Sequence, residues 1–191
     1  MDRRELLKMI AVVTGGALIG GSSLLTGCER PGTYTKPIGL FKPEDQEFLD
    51  EVADTILPAT QTPGAKSANV GSFMALMVTD CYEDINRKIF YDGIGLLNTA
   101  SEKVNGVVFM KATPEQRHTL LVQLDQEARE HQQKMKEQKD LPAHYFTMMK
   151  QLTLVGYFSS EIGCTKALRY TPVPGRYDGS VPYKKGDKAW A

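Results

Sequence analysis

His118, His131 and His144 are the three imidazoles of the chain, spaced thirteen positions apart. Two metal ligands share one helix face only at a spacing of three or four, so this spacing offers no metal site. His131 falls in a charged run and reads as solvated. No serine sits in a Gly-x-Ser-x-Gly elbow, and no Ser, His and Asp set stands out as a relay. The carboxylate pairs Asp50 with Asp54 and Glu83 with Asp84 alternate with lysine and arginine, as a solvated helix face does, and suggest no acid–base duty. Met74, Met77, Met148 and Met149 could form an adaptable binding surface, but their helical spacing reads as core packing. No catalytic residue, cofactor ligand or metal ligand emerges, and the chain reads as a non-enzyme.

The three cysteines carry a different chemistry. Arg3-Arg4 is followed by Leu6-Leu7-Lys8, then by an apolar, glycine-rich stretch from Met9 to Leu25 that closes in Leu25-Thr26-Gly27-Cys28. The arginine pair resembles the twin-arginine signal, which sends already folded proteins across the bacterial cytoplasmic membrane. The Leu-Thr-Gly-Cys end resembles a lipobox, whose cysteine is acylated and becomes the new N-terminus. The stretch is short and glycine-rich for a membrane-spanning helix. The expectation is therefore export, with Cys28 holding the protein by its lipid to a membrane on the periplasmic side. Cys81 and Cys164 then remain in an oxidising compartment. A bridge between them would close a long loop and stabilise the fold by about 4 kcal/mol. Two buried free thiols are the other reading, and both stand open. The absence of any Cys-x-x-Cys excludes covalent haem c and a thioredoxin-type site.

The elements that would position these residues are helical. Residues 1–27 form the signal and residues 28–41 a tether with Pro31, Gly32, Pro37 and Gly39 and no apolar period. Pro43 opens a first helix with Glu44, Asp45 and Glu47 near its start, and Phe48, Leu49, Val52, Ala53 and Ile56 make its apolar face. Pro58 stops it, and the loop from Pro58 to Ala65 follows. Val70, Phe73, Met74, Met77, Val78 and Cys81 mark a second helix; Ile85, Ile89, Ile94, Leu97 and Val104 mark a third, with Gly106 as its C-terminal cap. Thr113-Pro114-Glu115-Gln116 is a capping-box start for a fourth. A fifth, from about Pro142 to Gly163, is apolar almost all round and should be central. The fold expected is all-α: a single helical domain of about five helices over residues 42–191, including a long irregular C-terminal tail.

Acidic and basic residues number 23 each, and the signal holds Arg3, Arg4 and Lys8 against Asp2 and Glu5. The remaining chain is thus one charge negative, which gives no electrostatic case for nucleic acid. The tail combines Pro172, Pro174 and Pro182 with Tyr170, Tyr177, Tyr183 and Trp190. Prolines extend the backbone while tyrosines offer contact area at low entropic cost, a combination suited to a groove on another protein. Folding back over its own domain is the alternative.

Two segments carry a family resemblance. Phe48-Leu49-Asp50-Glu51-Val52-Ala53-Asp54-Thr55-Ile56-Leu57-Pro58-Ala59-Thr60, followed by Thr62-Pro63-Gly64-Ala65, resembles the opening of the gluconate 2-dehydrogenase subunit 3 family. Leu152-Thr153-Leu154-Val155-Gly156-Tyr157-Phe158, then Leu168-Arg169-Tyr170 and Pro172-Val173-Pro174-Gly175 with Tyr177, resembles its close. The middle, about residues 82–143, is similar only in being helical. The resemblance implies a non-catalytic small subunit paired with a large flavin-dependent sugar or polyol dehydrogenase of the glucose-methanol-choline (GMC) type. It also implies FAD in that partner and none in this chain, and often a cytochrome c subunit beside them. The family's small subunit commonly carries the twin-arginine signal for both; the lipobox at Cys28 departs from the usual pattern by giving this chain its own anchor. Pro58, Pro63, Gly64, Tyr170, Pro172, Pro174 and Tyr177 are the candidate partner contacts. A lipid-anchored binding protein that works without a flavin partner is the rival expectation.

Overall fold

The computed structural model describes residues 36–191 apart from Lys139, Pro174 and Tyr177. The expected signal with Arg3, Arg4 and Cys28, and the expected tether up to Thr35, lie outside the described residues. Among the described residues there are five α-helices and no strand: α1 Pro43–Ile56, α2 Val70–Cys81, α3 Asp84–Asn105, α4 Pro114–Glu137 and α5 Tyr145–Ser159. A 3₁₀ turn at Ala65–Ala68 leads into α2, a second at Phe109–Lys111 separates α3 from α4, and a π-turn at Gly163–Ala167 follows α5.

Local signals start and stop these helices. Asp45 accepts the Lys42 backbone N–H at 2.9 Å, closing the first turn of α1 behind Pro43. Thr113 and Gln116 exchange the two capping-box hydrogen bonds, 2.9 and 3.3 Å, at the start of α4. Gly106 ends α3 at φ +74° and donates its N–H to Glu102 O at 2.9 Å. The fifth helix is shorter than its apolar run: Ser160 leaves helical geometry at ψ 158°, and the chain turns helical again at Glu161 and Ile162 before the π-turn.

The core runs through all five helices, and α5 touches each of the other four. It buries Tyr145, Phe146, Met148, Met149, Leu152 and Tyr157 while Val155 stays 53 % exposed, so it is central with one open side. In α3 the inward face is Phe90, Ile94, Leu97 and Ser101. Ile85 and Val104, expected on that face, are 62 % and 53 % exposed. They sit at the two ends of a 22-residue helix, where the apolar stripe has drifted off the line of the packed face.

The end of the expected tether belongs to the folded body. Ile38 and Phe41 exchange two backbone hydrogen bonds of 2.9 Å around Gly39, and Phe41 is fully buried, edge-on to Phe90 at 6.0 Å and Tyr91 at 5.5 Å. Gln46, 1 % exposed, donates to Lys36 O at 2.9 Å and accepts from Ser72 Oγ at 3.0 Å. Residues just before α1 are thereby fastened to α1, α2 and α3.

Asp50 departs from the solvated reading. It is 2 % exposed and accepts the Gly71 N–H at 2.6 Å, satisfying a donor in the first turn of α2. A side chain on Gly71 would collide with the α1 backbone: a Cβ would lie 2.8 Å from Asp50 N and nearer still to Gln46 O. Glycine is what lets the two helices approach closely enough for that bond. Burial pushes the Asp50 carboxyl up from 3.8 to about 6, against the opposing pull of the Gly71 bond.

Two outcomes follow for stability. Phe41→Ala should lower the unfolding free energy by about 3 to 5 kcal/mol in chemical denaturation, the usual cost of emptying a full phenylalanine site; a change below about 1 kcal/mol would return Phe41 to the tether. The folded state holds the Asp50 proton more tightly than the unfolded one, so its contribution is full below about pH 4 and is lost as pH rises through about 6. Measured against Asp50→Asn, which keeps an acceptor for Gly71, wild-type stability should fall across that window by up to about 1.4 kcal/mol per pH unit. Parallel curves for the two proteins would refute the assignment.

Candidate functional site

The loop between α1 and α2 is held from three sides. Glu51, one turn from the end of α1, accepts from Lys66 Nζ at 2.7 Å with one carboxylate oxygen and from Arg117 Nη1 of α4 with the other. Arg117 is 12 % exposed and also donates to the carbonyls of Phe109 at 3.0 Å and Met110 at 2.8 Å, with its guanidinium 5.4 Å from the centre of the Phe109 ring. Burial raises the Glu51 pKa, but the hydrogen bond from Lys66 and the charge of Arg117 outweigh it and hold the carboxyl below its usual range. The same bond holds Lys66 above its usual range. A charge-paired carboxylate in this state is a structural tie rather than a proton donor.

Closer to the loop, Ala65 N–H donates to Leu57 O at 2.9 Å, and Tyr157 of α5 donates its hydroxyl to Pro63 O at 2.6 Å. Gly64 is buried, and a Cβ there would come 2.6 Å from Ala59 N and closer to the Asp54 carboxylate. Of the candidate contacts in this loop, Pro58 and Pro63 are exposed, while Gly64 lies inside and lets the loop close. Thr60 and Gln61 complete the exposed rim.

The C-terminal tail is neither draped over the helices nor extended. Arg169 N–H donates to Ala189 O at 2.8 Å, Ala191 N–H donates to Arg169 O at 2.9 Å, and the Arg169 guanidinium stacks 4.4 Å from the centre of the Trp190 ring. Lys188 Nζ donates to Lys166 O across the same neck. These contacts close a loop from Tyr170 to Lys188 onto its own root, and every described residue from Tyr170 onward is exposed. Tyr170 and Pro172 stand on that exposed surface; Pro174 and Tyr177 lie outside the described residues. Tyr157 ties Pro63, and with it the first candidate segment, to the last turn of α5.

Cys81 and Cys164 are both free, so the bridge that their number allowed is not formed. Cys81 is exposed at the end of α2, 4.0 Å from Met77 Sδ, and the Cys164 thiol donates to Phe158 O at 3.2 Å. The two thiols are occupied with neighbours on their own segments. The histidines regroup in a way their spacing hides. His131 of α4 hydrogen-bonds Pro142 O at 2.8 Å through Nε2, and its ring lies 5.5 Å from that of His144, while His118 is exposed on its own. His131 is therefore half-buried and partnered rather than solvated. Burial first, and the neighbouring His131 second, hold His144 below its usual pKa. Among the described residues no group of three or more His, Cys, Asp or Glu side chains could hold a metal ion, and no helix is long and apolar enough to cross a membrane.

Sequence reasoning missed Arg117, Lys66 and Tyr157, whose partners are 66, 15 and 94 positions away, and it missed the Arg169–Trp190 stack. The lone tryptophan near a tail arginine was the one signal available for the last.

No curated protein and no solved structure matches the chain. A family model described as gluconate 2-dehydrogenase subunit 3 matches residues 43–175, from the first residue of α1 to within the tail loop. That span takes in the α1 carboxylates, the Pro58–Ala65 loop, the whole bundle and the root of the tail. The chain belongs to the gluconate 2-dehydrogenase subunit 3 family.

Proposed function

We propose that this protein is the non-catalytic small subunit of a GMC-type flavin sugar or polyol dehydrogenase, which it binds, accompanies through the twin-arginine pathway and holds at a membrane. The observation that carries the reading is the family match over residues 43–175, which takes in two largely exposed segments, the 58–63 loop and the start of the tail from residue 170. The charge-paired Glu51 supports a subunit without chemistry of its own, since the most deeply placed ion pair among the described residues serves to hold the Pro58–Ala65 loop. In this reading FAD resides in the large subunit, a cytochrome c subunit receives the electrons, and Cys28 carries the lipid on the periplasmic side.

Twin-arginine transport accepts folded cargo. A helical subunit without a cofactor has little need of that route for itself. A flavoprotein that must fold around FAD before export does, and a signal on its small subunit serves both.

Co-expression with the flavin subunit tests each part. Affinity purification of wild type from a membrane extract should bring down a protein with a flavin absorbance spectrum and dye-linked sugar or polyol dehydrogenase activity; a colourless monomer would refute the reading. Arg3-Arg4→Lys-Lys should leave both subunits in the cytoplasm, and a flavin subunit that still reached the envelope would remove co-export. Cys28→Ala should shift the dehydrogenase activity from the membrane to the soluble fraction.

A further inference from the structure

The closed tail loop has an arrangement that its own fold does not require. Tyr170, Val173, Val181 and Tyr183 are 54, 82, 45 and 75 % exposed, and none of them belongs to the core. Ordering such a loop costs conformational entropy that burial within the chain does not offset. Its order comes from the neck, where two backbone hydrogen bonds and the Arg169–Trp190 stack hold the ends together. A segment held in shape while its apolar side chains face outward is arranged for something outside the chain, because preorganisation lowers the cost of binding.

The character of that partner can be read from the loop's charge and shape. Arg169, Arg176, Lys184, Lys185 and Lys188 stand against Asp178 and Asp187, a local excess of positive charge on an otherwise balanced chain. Thr171, Val173, Arg176, Asp178, Val181 and Trp190 wall a cleft of about 790 Å³ within the loop, where Arg176 pairs with Asp178 at 3.7 Å and leaves the positive excess to the other basic residues. The complementary surface is an apolar projection flanked by carboxylates.

We propose that the Arg169–Trp190 clasp presents the Tyr170–Lys188 loop as a preformed docking element for an apolar, carboxylate-rimmed patch on the dehydrogenase subunit. Trp190 both closes the loop and forms one wall of its cleft, so Val173→Asp, which leaves the clasp alone, separates the two roles. The inference rests on the reading of the chain as a dehydrogenase small subunit. A basic loop with aromatic residues also suits an anionic lipid surface. The walled cleft favours a protein, since a bilayer offers no fixed projection to fill it.

The probe is the flavin subunit that co-purifies with wild type, separated and titrated back onto the full-length small subunit at low and high salt. Trp190→Ala should weaken binding about tenfold or more and speed proteolytic nicking of the loop, while Trp190→Phe, which restores a ring for Arg169, should bind within about threefold of wild type. Val173→Asp, which leaves the clasp intact, should weaken binding about tenfold without faster nicking. Affinity should fall with salt. The helical melting transition should be unchanged in all three variants, because the altered residues lie outside the core. Wild-type affinity in Trp190→Ala or in Val173→Asp would overturn the proposal, as would binding indifferent to salt. Loop-dependent binding to phosphatidylglycerol vesicles, with loop-independent binding to the flavin subunit, would overturn it in favour of the membrane. Failure of wild type to bind the flavin subunit would instead strike the subunit reading itself.

Discussion

The two oxygens of the Glu51 carboxylate face two different cations, and much of the molecule is arranged around that division. One oxygen takes Lys66 from the turn that leads into α2, and the other takes Arg117 from the first turns of α4. Arg117 in turn gathers the carbonyls of Phe109 and Met110, so the connection between α3 and α4 is fixed by the same group. Charge-assisted bonds of this kind are strong in partly buried surroundings, and breaking one leaves a charge without its partner. The helices bring their own apolar faces together, but this carboxylate decides where two of their connections lie.

Asp50, one residue earlier, faces another direction and does different work. Successive residues on a helix point about 100° apart, so neighbouring carboxylates can meet different environments. Glu51 stays ionised against its cations, whereas Asp50 is buried beside the α2 start and holds its proton towards neutrality. With Asp54 behind Gly64, three acids of one short helix serve three distinct structural ends. They account physically for an acidic helix followed by a Pro-Gly loop without invoking a reaction.

Much of the architecture was legible because helices announce themselves locally. Pro43, the Thr113–Gln116 box and Gly106 each fix a boundary through interactions within four residues, and each was found where it was expected. What escaped depends on distance along the chain. Asp50 reads as solvated until Gly71 is brought against it, and Phe41 reads as tether until Phe90 and Tyr91 surround it. Ile85 and Val104 misled in the opposite sense, since an apolar residue at a helix end need not find a neighbour to cover it. The tail was the hardest to read: its composition speaks of extension, yet two backbone hydrogen bonds and the stack between Arg169 and Trp190 close it into a loop.

The hydroxyl of Tyr157 reaches Pro63 across 94 positions of sequence and so fastens the α1–α2 loop to the last turn of α5. The central helix of the bundle thus holds a connection that is remote from it in sequence. For the proposed partner, a loop held in this way would need little ordering on contact. The phenol adds to the holds that Glu51 and Ala65 already place on the loop, so the surface the loop offers is set by the body of the fold and not by the loop's own sequence.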